Sequence, residues 1–408
     1  MHLTYTFHLP ASKSESNRAL IMTALSAYQQ GIPFSIKNLQ NLSQATDTQI
    51  LISILSQQEN PVWDAKEAGT TFRFLTAFAV ATKKNVKITG SERMKQRPIK
   101  VLVEALRSLG ANIQYVEKEG FPPLQVWAKD FVQTRQEIDI QADVSSQYIS
   151  ALLMIAPVLD KGLRLNLVGK VASRPYIEMT LRQMEGFGVL ADFRRLGTQI
   201  FADKKNYISA LISIENDWSA ASYVYAFAAL AESAEIFVSG LKRDSLQGDK
   251  KIAELMLHFG VETVWEKEGI ILRKKAGFIF SNNKITIDFS DIPDLAQTIV
   301  VLAAATGAKI IFTGLESLRI KETDRIAALQ IELRKFGVDF EEIAEGIFTL
   351  FGSFIPAETT IFTYKDHRMA MAFAPLLLKI PALKFENPEV VAKSFPHFWE
   401  EVRNLLAE

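Results

Sequence analysis

A period of about 75 residues, returning along most of the chain, restricts what this sequence can fold into more than any other feature. Four times a one-sided apolar helix pattern closes on a glycine and leads into a short alternating strand. The sets are Leu102, Leu106, Leu109 and Gly110; Thr180, Met184, Phe187 and Gly188; Ile252, Met256, Phe259 and Gly260; and Leu329, Leu333, Phe336 and Gly337. Offsets of four and three place each set on one helical face, and glycine suits the left-handed residue that ends a helix. A second helix type alternates with the first, opening on small or polar residues before an apolar run. Its six starts lie near Ser14, Gly69, Ser145, Ser219, Asp294 and Asp366. Strands are expected between the helices, around 87–89, 164–168, 235–238 and 309–312.

Six copies predict an α/β protein of two domains with three repeats each, sheets outside and helices within. Helices of the second type, apolar nearly all round, are the ones expected to be buried. Their N-termini gather the residues that look chemical. Unpaired backbone N–H groups and aligned peptide dipoles would make that end attractive to anions without any net charge. This matters because Lys plus Arg and Asp plus Glu both number 46, so the formal net charge is +0 and no global field favours nucleic acid or a membrane surface. With Cys 0 there is no disulfide framework, thiolate zinc site or cysteine nucleophile. The apolar stretch from Leu295 to Ala308 is interrupted by Gln297, Thr298 and Thr306 and is shorter than the ~20 residues of a membrane span. The opening MHLTYTFHLP has neither a basic nor an apolar leader region, so a cytoplasmic location is expected.

The densest charge cluster is RIKETDR, Arg319 to Arg325. With Thr323 as the cap of a helix through Ile326, Leu329, Leu333 and Phe336, Lys321 and Glu322 fall just ahead of the first turn and Arg325 within it, a place to hold an anion. Other helix openings offer similar chemistry. SKSESNR carries Lys13, Ser14 and Arg18; EAGTTFR has Gly69, where backbone can approach a ligand, beside Thr70 and Arg73; RMKQRP supplies Arg93, Lys95 and Arg97. Ser145, Ser146 and Gln147 suit an oxyanion, and Ser173, Arg174 and Tyr176 repeat the arrangement. Asp294 stands at a helix start, DHR gives Asp366, His367 and Arg368, and Lys393 closes the series. Each motif alone is also explained by capping or a solvated surface. No HExxH, GxSxG, Walker A or Rossmann glycine pattern is present, so no catalytic metal or nucleotide cofactor is expected.

Taken in order, SKSESNR, EAGTTFR, RMKQRPI, FPPL, SSQY, SRPY, IPD, RIKETDR, DHRMAM and AKSFP resemble the 5-enolpyruvylshikimate-3-phosphate synthase family over essentially the whole chain. The resemblance implies a two-domain inverse α/β barrel of six βαβαββ repeats, three per domain, with domains 12–215 and 1–11 plus 216–408 and the active site in the interdomain cleft. It implies transfer of the enolpyruvyl group of phosphoenolpyruvate to shikimate 3-phosphate, with no cofactor, by a monomer. Ser145, Ser146, Gln147, Ser173, Tyr176 and Lys321 would hold shikimate 3-phosphate, with Lys13, Ser14 and Arg18 near the hinge. Arg97, Arg325, Arg368 and Lys393 would hold phosphoenolpyruvate, and Gly69 would line its pocket. Asp294 would act as base toward the hydroxyl, and Glu322, assisted by Lys13, as acid toward the methylene carbon.

Family members commonly have Asn at the position of Glu67, Pro at that of Phe74 and Asn at that of Ser317. An acid such as Glu67 beside anionic substrates needs a cationic partner. Two alternatives stay open at this level: a UDP-N-acetylglucosamine enolpyruvyl transferase, whose members usually place a reactive cysteine or aspartate in a mobile loop, and a non-catalytic relative.

Overall fold

The computed structural model describes residues 1–194, 198–278 and 283–407. The chain divides into two compact units, one made of Ser12–Ile214 and the other of Met1–Ala11 with Glu215–Glu408. An antiparallel bridge between Ala11 and Asn216 lies in the second unit, where the chain leaves and returns.

Within Ser12–Ile214, two four-stranded sheets share one strand order. Val62–Asp64 runs parallel to Asn85–Thr89, followed by Leu124–Trp127 and Asn112–Tyr115, both pairings antiparallel. Glu137–Gln141, Leu163–Val168, Gln199–Ala202 and Ala191–Arg194 repeat that order. The parallel pair requires a crossover, supplied by the helices Gly69–Ala81 and Ser146–Ile155, and the antiparallel pair needs only a hairpin. The other unit repeats the plan with Ile285–Asp288, Ile310–Thr313, Ile347–Gly352 and Val338–Ala344. Its remaining four-stranded sheet draws its first strand, His2–Phe7, from the N-terminus, beside Ser233–Ser239, Gly269–Lys274 and Glu262–Glu266. Two shorter sheets pair Ile212–Ser213 with Leu39–Gln40 and Thr360–Ile361 with Lys384–Phe385.

Helices of the second type are buried on every side, as their composition predicts. Only Thr70 of Gly69–Ala81 is not buried, and of Ala296–Thr306 all but Thr306 are. The one-faced helices likewise bury their repeated residues: Leu102, Met184, Phe259 and Leu333 are each inaccessible. Gly188 and Gly260 follow such helices at φ 80° and 77°, a conformation that a Cβ would strain. No helix among the described residues is long and apolar enough to cross a membrane.

Several caps differ from expectation. Asp324, not Thr323, caps the helix Arg325–Arg334, its Oδ1 accepting from Ile326 N and Ala327 N, both at 3.1 Å. A carboxylate outcompetes a hydroxyl for two orphan donors at the positive end of a helix. The helix near Ser219 is Trp218–Leu230, capped by Asp217, and Lys13–Gln30 is capped by Ser12, which leaves Ser14 in its first turn.

Candidate active site

In the unit Ser12–Ile214, the predicted residues collect at helix starts. Ser145 caps Ser146–Ile155, its hydroxyl accepting from Gln147 N at 3.3 Å, while Gln147 Oε1 accepts from Arg73 Nη1 at 3.1 Å. Arg73 and Arg97 both converge on the start of Gly69–Ala81. A Cβ added at Gly69 would lie 2.5 Å from Arg97 Nη1 and 2.6 Å from Arg73 Nη1, so glycine is what lets two guanidinium groups crowd a helix N-terminus. Two cations beside a helix N-terminus give that place a local positive charge. Lys13 Nζ pairs with the buried Asp47 at 3.0 Å. Ser173 precedes Arg174–Gly186 in the left-handed region at φ 54° and makes no capping bond through its side chain, unlike the simple cap its sequence suggests.

Arg18 is not a solvated helix-end charge. It is buried, with Nε donating to Thr180 Oγ1 at 2.7 Å, Nη2 to Ser150 Oγ at 3.2 Å and Nη1 to the Ser14 carbonyl at 2.9 Å. Burial pushes its pKa down to about 10, which leaves it charged at neutral pH. It ties the helices carrying Lys13, Ser146 and Tyr176 together.

The other unit builds a denser site around Arg325, which is 2% exposed. Its Nε donates to Asp366 Oδ2 at 2.7 Å, its Nη2 to Glu322 Oε2 at 3.0 Å and its Nη1 to Asp294 Oδ1 at 3.3 Å. Arg368 Nη2 meets Asp294 Oδ2 at 2.7 Å, and its Nη1 donates to the Asp294 carbonyl and to Tyr223 Oη, both at 3.2 Å. Lys393 Nζ stands 3.3 Å from Glu322 Oε1. Asp294, in the turn Pro293–Leu295, makes no helix cap; its carboxylate is given to the arginines. Burial opposes its charge, but Arg368, Lys321 and Arg325 outweigh that and hold its carboxyl well below the usual range. Burial likewise opposes the charge on Arg325, yet Asp366, Glu322 and Asp294 keep the guanidinium ionised.

The arrangement therefore sets two carboxylates, Asp294 and Glu322, on one arginine, with Lys321, Arg368 and Lys393 adding positive charge around them. It can bind an anion and move protons. Residues 2–402 match the family described as EPSP synthase (3-phosphoshikimate 1-carboxyvinyltransferase). The chain belongs to that family. A 3-phosphoshikimate 1-carboxyvinyltransferase of Bacteroides fragilis is 47% identical over 400 residues, covering 98% of this chain and 94% of the relative. One from Aliivibrio salmonicida is 33% identical, covering 98% and 96%. An EPSP synthase structure from Acinetobacter baumannii shares the fold with a TM-score of 0.76 at 20% identity, covering 99% of this chain and 96% of that one.

Several residues at these sites owe their place to partners distant in the chain. Asp366 stands at the helix start that the sequence gives it and caps His367–Phe373; what the sequence does not show is that it also anchors Arg325. Tyr223 and Asp47 carried no local signal; they matter through partners 145 and 34 residues away. Asp249 is a further case. It is buried, its Oδ2 accepts from Ser219 Oγ, and its Oδ1 has no hydrogen-bond partner among the described residues. Burial, with the Asp294 charge adding to it, pushes Asp249 up to about 7 from an ordinary 3.8. A carboxyl raised on folding contributes stability that is fully present below the unfolded value and is lost as pH rises through the folded one. Asp249→Asn mimics the protonated form, so its stability relative to the parent is expected to grow by roughly 1–4 kcal/mol between pH 4 and pH 8. Urea unfolding at a series of pH values checks this; a difference independent of pH would show that Asp249 titrates normally.

Proposed function

We propose that this chain transfers the enolpyruvyl group of phosphoenolpyruvate to the 5-hydroxyl of shikimate 3-phosphate and releases phosphate. The observation that carries the reading is the cluster in which Arg325 bridges Asp294 and Glu322 beside Arg368 and Lys393. Addition of a hydroxyl across the double bond of an enol phosphate needs a base for the hydroxyl proton and an acid for the methylene carbon; expulsion of phosphate from the tetrahedral adduct then needs positive charge around the leaving group and removal of a proton from the new methyl group to restore the double bond. Asp294 takes the base role and Glu322, with Lys13 assisting, the acid role. Arg97, Arg325, Arg368 and Lys393 bind the enol donor, with Gly69 lining its pocket. Ser145, Ser146, Gln147, Ser173, Tyr176 and Lys321 bind the acceptor, with Ser14 and Arg18 beside them.

We take each unit as a domain of the enzyme and the enzyme as a cytoplasmic monomer. The finer fold reading, an inverse α/β barrel of six βαβαββ units, belongs to the same proposal. The common strand order of the four larger sheets supports it.

The test is phosphate release from phosphoenolpyruvate. Release is expected only when shikimate 3-phosphate is present, to be unaffected by EDTA, and not to occur with UDP-N-acetylglucosamine in its place. No release with both proposed substrates would sink the reading.

A further inference from the structure

Two consecutive residues with side chains stand in the left-handed region directly ahead of Asp366: Tyr364 at φ 53° and Lys365 at φ 56°. A bulky residue there is strained, and such a turn persists only where its surroundings over-determine it. The helix Arg325–Arg334 holds it from both ends. At the helix start, Arg325 Nε donates to Asp366 Oδ2 at 2.7 Å. Two turns on, roughly 10 Å along the axis, Glu332 presents a fully buried carboxylate on the same face.

That carboxylate accepts from the strained segment and from Lys335. Glu332 Oε2 accepts from Phe362 N at 3.1 Å and from Lys335 Nζ at 2.6 Å, and Oε1 accepts from Tyr364 Oη at 2.8 Å. Lys335 Nζ adds a bond to the Thr360 carbonyl at 2.8 Å and lies 4.4 Å from the centre of the Phe362 ring. Desolvation and the Glu332 carboxylate push the Tyr364 phenol far up, so it remains a donor at any pH the protein meets. What the turn delivers is Asp366, whose two oxygens both face Arg325 and whose Oδ1 also caps the helix carrying Arg368, accepting from Arg368 N at 2.9 Å. An error in the turn would therefore move two arginines at once.

We propose that Glu332 and Tyr364 are positioning residues for the reaction: their clamp on the 362–366 segment sets Asp366, and through it the guanidinium groups of Arg325 and Arg368. The inference rests on the enolpyruvyl-transfer reading, in which those arginines bind the enol donor. Neither clamp residue is assigned a contact with substrate.

Tyr364→Phe removes the phenol bond and keeps the ring; Glu332→Gln keeps the shape and removes the charge. In full-length protein, amide hydrogen exchange across residues 362–368 is expected to accelerate about tenfold or more in both variants. The KM for phosphoenolpyruvate is expected to rise about tenfold, while that for shikimate 3-phosphate stays within about twofold. A merely structural role would lower Tm and the active fraction but leave both KM values at the parental level, and that result overturns the proposal. Unchanged exchange in Tyr364→Phe overturns it equally. Tyr364→Phe alone decides the matter if Glu332→Gln does not fold. A parent protein that releases no phosphate overturns the functional reading instead, and the exchange measurement still tests the clamp.

Discussion

Glu322→Gln and Asp294→Asn are each expected to lower turnover by about 10²–10⁴-fold, the usual worth of a positioned proton-transfer group, with both KM values changed only a few-fold. Both substitutions keep the side-chain outline and some hydrogen bonding to Arg325, so binding suffers less than chemistry. Arg368, Lys321 and Arg325 hold the Asp294 carboxyl well below the usual range. The same arginines that hold it there are the ones assigned to the enol donor. If those arginines take the carboxylate and phosphate of the enol donor, Asp294 gives up part of their hydrogen bonding and its pKa is expected to rise. Steady-state phosphate release, with both substrates varied, measures the effect. Near-parental turnover in either variant would remove that residue from the mechanism.

The two classes of helix were legible because burial leaves a periodic trace in the chain. Leu102, Leu106 and Leu109, or Leu329, Leu333 and Phe336, declare a buried face by spacing alone, and the buried crossover helices declare themselves by lacking a polar side. Candidate ligand groups were legible for a related reason: they stand at helix starts, where backbone donors already favour anions. What the chain did not disclose were pairings settled in three dimensions. Arg325 finds Asp366 across 41 residues and Arg368 finds Tyr223 across 145. Arg18, which local sequence places at an exposed helix mouth, is taken inside by Thr180 and Ser150. Capping failed at Thr323 because two good acceptors adjoin there and only packing decides that the helix begins after Asp324. Glu332 looks like any solvent-facing helical acid until Tyr364 and Lys335 are brought to it.

Arg325→Ala is expected to damage stability and donor binding together, and separating the two is what tests its role. The guanidinium is the common partner of three carboxylates, Asp366, Glu322 and Asp294, and removing one member of such a buried set costs about 3–5 kcal/mol because the others are left poorly compensated. Its midpoint in urea should therefore fall. Arg325→Lys keeps a charge but not the fork that reaches three acceptors, so it should recover part of the stability and little of the function. In that variant kcat/KM for phosphoenolpyruvate is expected to drop by about 10²-fold or more, while binding of shikimate 3-phosphate, measured by calorimetry, stays close to parental. A lysine variant that is folded and uses phosphoenolpyruvate as well as the parent does would reduce Arg325 to a structural hub. A selective loss would place the enol donor on Arg325, a cation that Asp294 and Glu322 share.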